Sequence, residues 1–148
     1  EEILNTYPKA RFIFLHRNPR FSMPSISNLA FNLRLGYSNH VDPILVGNQM
    51  LSYWQDATEK LLNGRELIPK GQMIDLNFNH LIDDPIKITN QIFEKFSIKH
   101  DEAFERKLTT RIGTKKLKSK HSYSYEKFFR ASGEVENKFV NYISYFNL

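Results

Sequence analysis

Apolar residues fall along this chain in short bursts, each with its own period and each bounded by turn chemistry. The run Arg11-Phe12-Ile13-Phe14-Leu15-His16 lies between Tyr7-Pro8-Lys9 and Asn18-Pro19. It predicts a buried strand that ends in a tight loop. Next, Phe21, Ser25, Leu29 and Leu33, with Ile26 and Ala30, recur at helical spacing, and Pro24 fits a helix only near its first turn. The unit is strand, Arg-Asn-Pro loop, helix. A loop with Gly36, Asn39, Asp42 and Pro43 leads to a second helix, from Ile44 to Leu62, that stops at Asn63-Gly64.

After the Pro69-Lys70-Gly71 turn, Ile74, Leu76 and Phe78 alternate with Asp75 and Asn77, the pattern of a second strand. Asp83-Asp84-Pro85 supplies an N-cap and a first-turn proline for a helix from Ile86 to Phe96, with Ile88, Ile92, Phe93 and Phe96 on its buried face. A short helix over 101–108 precedes a basic, poorly periodic stretch to Lys120. The chain closes with Val135, Phe139, Tyr142, Ile143 and Phe146, an amphipathic helix over 132–147. Strands alternating with helices predict an α/β layer with a parallel sheet. Two strands are few for an independent sheet of that kind, so the pattern reads as part of a larger one.

Composition narrows the class. With 148 residues, 41% of them hydrophobic and 12 phenylalanines, the chain is one globular domain at most and not a disordered polymer. It has no apolar run of about 18 residues, the length a membrane-spanning helix needs. The absence of cysteine excludes disulfides, cysteine-ligated metals and thiol catalysis, and fits a reducing, cytoplasmic setting. No cluster of His, Asp and Glu has metal-ligand spacing, so no metal is expected.

The net charge of +5 is unevenly placed. Residues 1–100 hold 11 Lys and Arg against 10 Asp and Glu, whereas residues 101–148 hold 10 against 6. Most of the excess lies in Arg106, Lys107, Arg111, Lys115, Lys116, Lys118 and Lys120, a stretch without acids that favours an anionic partner. The densest chemistry, however, is at Arg17-Asn18-Pro19 and Ser25. Arg17 ends a predicted strand, where open α/β sheets bind ligands, and Ser25 lies eight residues on in the following helix. A guanidinium fork and a hydroxyl near helix N-terminal N–H groups suit a phosphate or sulfate.

These residues resemble a known family. The stretch from Tyr7 to Pro19, followed by Ser25, is similar to the segment of sulfotransferases that binds the 3′-phosphate of 3′-phosphoadenosine-5′-phosphosulfate (PAPS). Leu67-Ile68-Pro69-Lys70-Gly71, the strand after it and Asp84-Pro85 resemble the family's second landmark. Lys118-Ser119-Lys120-His121 resembles a basic loop, here 106–124, that closes over the donor. The resemblance implies a P-loop NTPase-like α/β sulfotransferase fold, with PAPS as donor and a hydroxyl or amine acceptor (carbohydrate, lipid or small molecule). It implies that Arg17 and Ser25 hold the 3′-phosphate, with Arg111, Lys118 and Lys120 completing the anion cage. Where relatives have Tyr-Glu-Asp-Leu, this chain has Phe78-Asn79-His80-Leu81. Phe78 keeps an aromatic face for adenine but cannot donate a hydrogen bond.

The family's Gly-rich 5′-phosphosulfate loop has no counterpart among the glycines at 36, 47, 64, 71, 113 and 133. Relatives carry that loop, and usually the catalytic base, before the Arg-Asn-Pro strand. Residues 1–148 are therefore expected to be the C-terminal part of a catalytic domain, incomplete at its N-terminus. Of the histidines, His16 reads as structural, and His40 lies in the loop after the first helix. Tyr53, Trp54 and Met50 read as core. Tyr123, Tyr125, Phe128 and Phe129 resemble the family's packing of its last helix against the sheet. Two other readings stay open: a nucleic-acid or polyanion module built on 106–120, and a non-catalytic remnant of the sulfotransferase fold.

Overall fold

The protein is described here by a computed structural model covering residues 2–113 and 123–148. The elements are α1 (Glu2–Thr6), β1 (Phe12–His16), α2 (Pro19–Leu35), α3 (Pro43–Gly64), β2 (Met73–Asn77), α4 (Phe78–Asp83), α5 (Pro85–Lys95), α6 (Glu102–Gly113), α7 (Glu134–Lys138) and α8 (Val140–Phe146). Two 3₁₀ turns, Arg65–Leu67 and Lys70–Gln72, link α3 to β2. The chain divides into two compact units, one built from the described parts of 1–16 and 66–120, the other from those of 17–65 and 121–148.

In the first unit, β1 and β2 pair in parallel, with Phe12 opposite Met73 and His16 opposite Asn77. The crossover between them contains two long helices, as a parallel pair requires. Among the described residues the sheet has these two strands. A continuously apolar run predicts burial on both faces, but β1 alternates: Ile13 and Leu15 are 51% and 46% exposed. The other face of β1 carries a ladder of rings, Phe12 over Phe14 at 6.2 Å and Phe14 over His16 at 6.3 Å. On β2, Leu76 is buried, and α5 packs on that strand through a face that includes the buried Ile88. Asp84 caps α5 by accepting from the Lys87 N–H at 2.9 Å, and Pro85 takes the first helical position, as the sequence predicts.

The second unit is helical and closes on an aromatic centre. Met23 of α2, Leu51 of α3, Phe128, Phe129, Val135, Phe139 and Tyr142 form one buried cluster. Phe31 meets Phe128 edge-on at 6.0 Å. Gly47 of α3 lies where a Cβ would come within 2.2 Å of the Phe128 carbonyl oxygen, so the two backbones approach too closely for any other residue. The aromatics at 125–129 thus belong to a helical core, with Phe128 and Phe129 fully buried and Tyr125 packed at their edge. Arg65 is buried by stacking its guanidinium on Tyr145 and Phe146, 5.2 and 5.1 Å from the ring centres.

Several expected boundaries move. The single helix over 132–147 is two, α7 and α8, broken at Phe139, and α7 starts after Gly133 in the left-handed region at φ 83°. The stripe Phe21, Leu29 and Leu33 is the exposed side of α2, with Leu29 and Leu33 at 62% and 61%, while Met23 and Ser27 face inward. Tyr53 and Trp54 also leave the core, stacked edge-to-face on each other at 5.7 Å on the outside of α3, and only Met50 of the three packs inward. Spacing identifies a helix but not which of two adjacent stripes is turned toward its neighbours.

Candidate functional site

The site is built from the turn that joins β1 to α2. Asn18 is the N-cap of α2: its side-chain oxygen accepts from the Arg20 N–H at 2.9 Å, and Pro19 occupies the first helical position without needing a partner. This local chemistry stops the strand at His16 and starts the helix three residues later. Arg17 is consequently an exposed side chain at the C-terminal end of a parallel strand. Ser25 sits in the second turn of α2, half-buried, next to the buried Pro24. Pro24 is one turn deeper than a first-turn proline, and its missing N–H removes the bond that the Arg20 carbonyl would accept.

Arg20 donates to the Glu136 carboxylate of α7 and lies 5.5 Å from the Tyr125 ring centre. The hydrogen bond to Glu136, and then its charge, raise the Arg20 pKa above its ordinary value. For Glu136, burial pulls the pKa up, but the Arg20 hydrogen bond, the residue's own backbone N–H and the Arg20 charge together outweigh it and leave the carboxyl below its ordinary range. Arg20 is therefore tied into the helical unit. Glu126 is also lowered, first by its own backbone N–H and then by the Ser124 hydroxyl at 2.9 Å.

The other expected site residues lie in the first unit. Phe78 is not a strand residue: β2 ends at Asn77, whose side chain accepts from the Asn79 N–H at 2.8 Å and caps α4, so Phe78 opens that helix, half-buried. The alternation that carries it into a predicted strand is cut by this cap. Arg111 likewise lies on α6, which runs to Gly113, rather than in a loop. Asp101 starts α6 by accepting from the Phe104 N–H at 2.8 Å, and Arg106 pairs with Glu102 one turn away at 3.4 Å. The basic segment expected over 106–124 is thus helical through 113, and Lys118 and Lys120 lie outside the described residues. No group of His, Asp and Glu that could hold a metal ion occurs among the described residues. No described helix is long and apolar enough to cross a membrane.

Two features were not foreseen from the sequence. His16, only 3% exposed, places Nε2 2.8 Å from Asp75 Oδ1 on the neighbouring strand. The parity of β2 puts Asp75 on the same face as His16, but only the pairing register brings the two together. The second feature is an apolar depression of about 500 Å³ at the α2–α3 loop, lined by Leu33, Tyr37, His40, Val41 and Leu45. His40 is held there by Ser38, whose hydroxyl accepts from the His40 N–H at 3.2 Å.

The model of the sulfotransferase family matches residues 1–102. Among solved structures, the chain is similar to a sulfotransferase from Mycobacterium tuberculosis H37Rv, with 22% identity and a TM-score of 0.78 over 94% of this chain and 35% of that one. It is also similar to a sulfotransferase from Mycobacterium avium, with 18% identity and a TM-score of 0.77 over 99% of this chain and 38% of that one. The chain spans little more than a third of the length of either. No curated protein matches the sequence. The likeness to the solved structures gives the α/β sulfotransferase fold expected from the sequence.

Proposed function

This chain belongs to the sulfotransferase family, and from that premise we propose that it carries the 3′-phosphate-binding part of a PAPS-dependent enzyme. In the reaction, an acceptor oxygen or nitrogen attacks sulfur in line. The bond from sulfur to the 5′-phosphate oxygen breaks, the acceptor's proton passes to a base, and adenosine 3′,5′-bisphosphate leaves. Arg17 and Ser25 hold the 3′-phosphate, Phe78 offers a ring to the adenine, and Arg111, Lys118 and Lys120 supply further positive charge. The observation that carries this reading is the capped turn itself, with Arg17 at the end of a parallel strand and Ser25 in the second turn of the helix that follows.

The chemistry of the donor supports the same choice. Its phosphates must leave water, and an unpaired buried charge costs several kcal/mol, so a bidentate guanidinium and helix-end donors are the groups such a site needs. An anchor on the 3′-phosphate, remote from sulfur, supplies binding and orientation that the reacting centre can use. The acceptor is a hydroxyl or amine compound.

Thermal unfolding of the full protein with and without adenosine 3′,5′-bisphosphate tests the reading. A ligand that binds only the folded state raises the melting temperature with its concentration. No rise at millimolar nucleotide, together with tight, steeply salt-dependent binding to DNA or RNA, would replace this reading with a polyanion module.

A further inference from the structure

We propose that His16 is a positioning residue for the phosphate-binding turn, acting through Asp75 to fix the strand end that carries Arg17. This rests on the 3′-phosphate reading above. His16 is the last residue of β1 and is 3% exposed, a place where an aliphatic side chain would be the simpler choice. A buried imidazole is tolerated only with its polar atoms hydrogen-bonded. Here Nε2 meets Asp75 Oδ1 at 2.8 Å, and the imidazole donates in the tautomer that carries its proton on Nε2. The Phe14 ring lies beside the imidazole on the same strand face, 6.3 Å between ring centres.

The bond is diagonal across the strand pair, since Asp75 is opposite Phe14 and His16 is opposite Asn77. It therefore adds a side-chain tie between the two strands at the end nearest Arg17, beside the backbone ladder. The position along the chain gives the bond its consequence. His16 is tied to β2, and Asn18 is tied to the first turn of α2 through the Arg20 N–H. Arg17 is the single residue between these two anchors. A guanidinium that grips phosphate through two parallel hydrogen bonds gains from such fixing, because displacement by about 1 Å loses the bidentate geometry. His16 is not the base of the reaction, as its depth and its bond to Asp75 keep Nε2 from an acceptor.

The test is calorimetric titration of the full protein with adenosine 3′,5′-bisphosphate. Asp75→Ala and His16→Ala should each weaken binding on the order of tenfold, and the double variant should be no weaker than either single one. His16→Gln, which can still donate to Asp75, should bind within about twofold of the unsubstituted protein. The decisive readout is the Arg17→Ala background, where Asp75→Ala should have no further effect, whereas a merely structural loss would persist there. If His16→Ala fails to fold, Asp75→Ala and His16→Gln carry the test alone, since the Asp75 side chain is 32% exposed. Unchanged affinity in Asp75→Ala, or an undiminished effect of Asp75→Ala in the Arg17→Ala background, overturns the proposal. Unchanged affinity in Arg17→Ala itself would overturn the phosphate reading and this inference with it.

Discussion

The two units of the chain solve the problem of burial in opposite ways. The helical unit folds its aromatics inward, so that Phe128, Phe129, Val135 and Phe139 are almost wholly enclosed. The strand-bearing unit encloses Leu76, Ile88 and Phe96 but leaves Ile13 and Leu15 half in water along β1. Sequence hydrophobicity is high in both places, so composition does not separate them. The difference lies in how many elements are present to cover a surface. Stability should therefore be concentrated around Phe128, while changes on the open face of β1 should cost little.

Substitutions can break or sharpen that contrast, and the largest effect is expected at its centre. Phe128→Ala removes the middle of the aromatic cluster and should lower unfolding stability by about 3–5 kcal/mol in denaturant titration. A loss below about 1 kcal/mol would mean that the cluster is not the stabilising centre. Gly47→Ala comes next. Its Cβ would meet the Phe128 backbone rather than a side chain that could swing away, so a loss of about 1–3 kcal/mol is expected even though the residue gained is a better helix former.

Glu136→Gln should have a smaller effect at neutral pH, because the Arg20 side chain is nearly half exposed, and its diagnostic is pH. The Glu136 carboxyl titrates lower in the folded protein than in the unfolded chain. Its contribution is therefore present above the unfolded value of about 4.3 and is lost as pH falls through the folded one. The unsubstituted protein should lose more melting temperature than Glu136→Gln between pH 6 and pH 3, to within the contribution of other acids such as Glu126. Equal losses would show that the Arg20 pair does not contribute. The smallest effect belongs to Ile13→Thr on the open strand face, expected within about 0.5 kcal/mol of no change. A loss above about 2 kcal/mol would show that this face is covered in solution.

The same contrast explains what could be read from the sequence. The β1–turn–α2 unit was legible because its signals are local: an aromatic run, then an Arg-Asn-Pro turn, which in the structure is Asn18 as cap and Pro19 as first helical residue. The cap at Asp84 was legible for the same reason. Phe78 was misplaced because the alternation continues past the strand end, and Asn77, whose cap stops it, also fits that alternation as a polar position. The orientation of α2 and the exposure of Tyr53 and Trp54 depend on which helices arrive from elsewhere in the chain, and periodicity holds no information about that. Arg17 and Ser25 were legible as a spacing, whereas the bond of His16 to Asp75 needed a strand register between residues 59 positions apart.

The central claim is that Arg17 grips a nucleotide 3′-phosphate, and calorimetry on the full protein addresses it directly. Adenosine 3′,5′-bisphosphate should bind the unsubstituted protein, and Arg17→Ala should weaken that binding by at least about tenfold, the loss expected when one charged hydrogen-bonding partner of a phosphate is removed. Equal affinity in the two proteins would contradict the account.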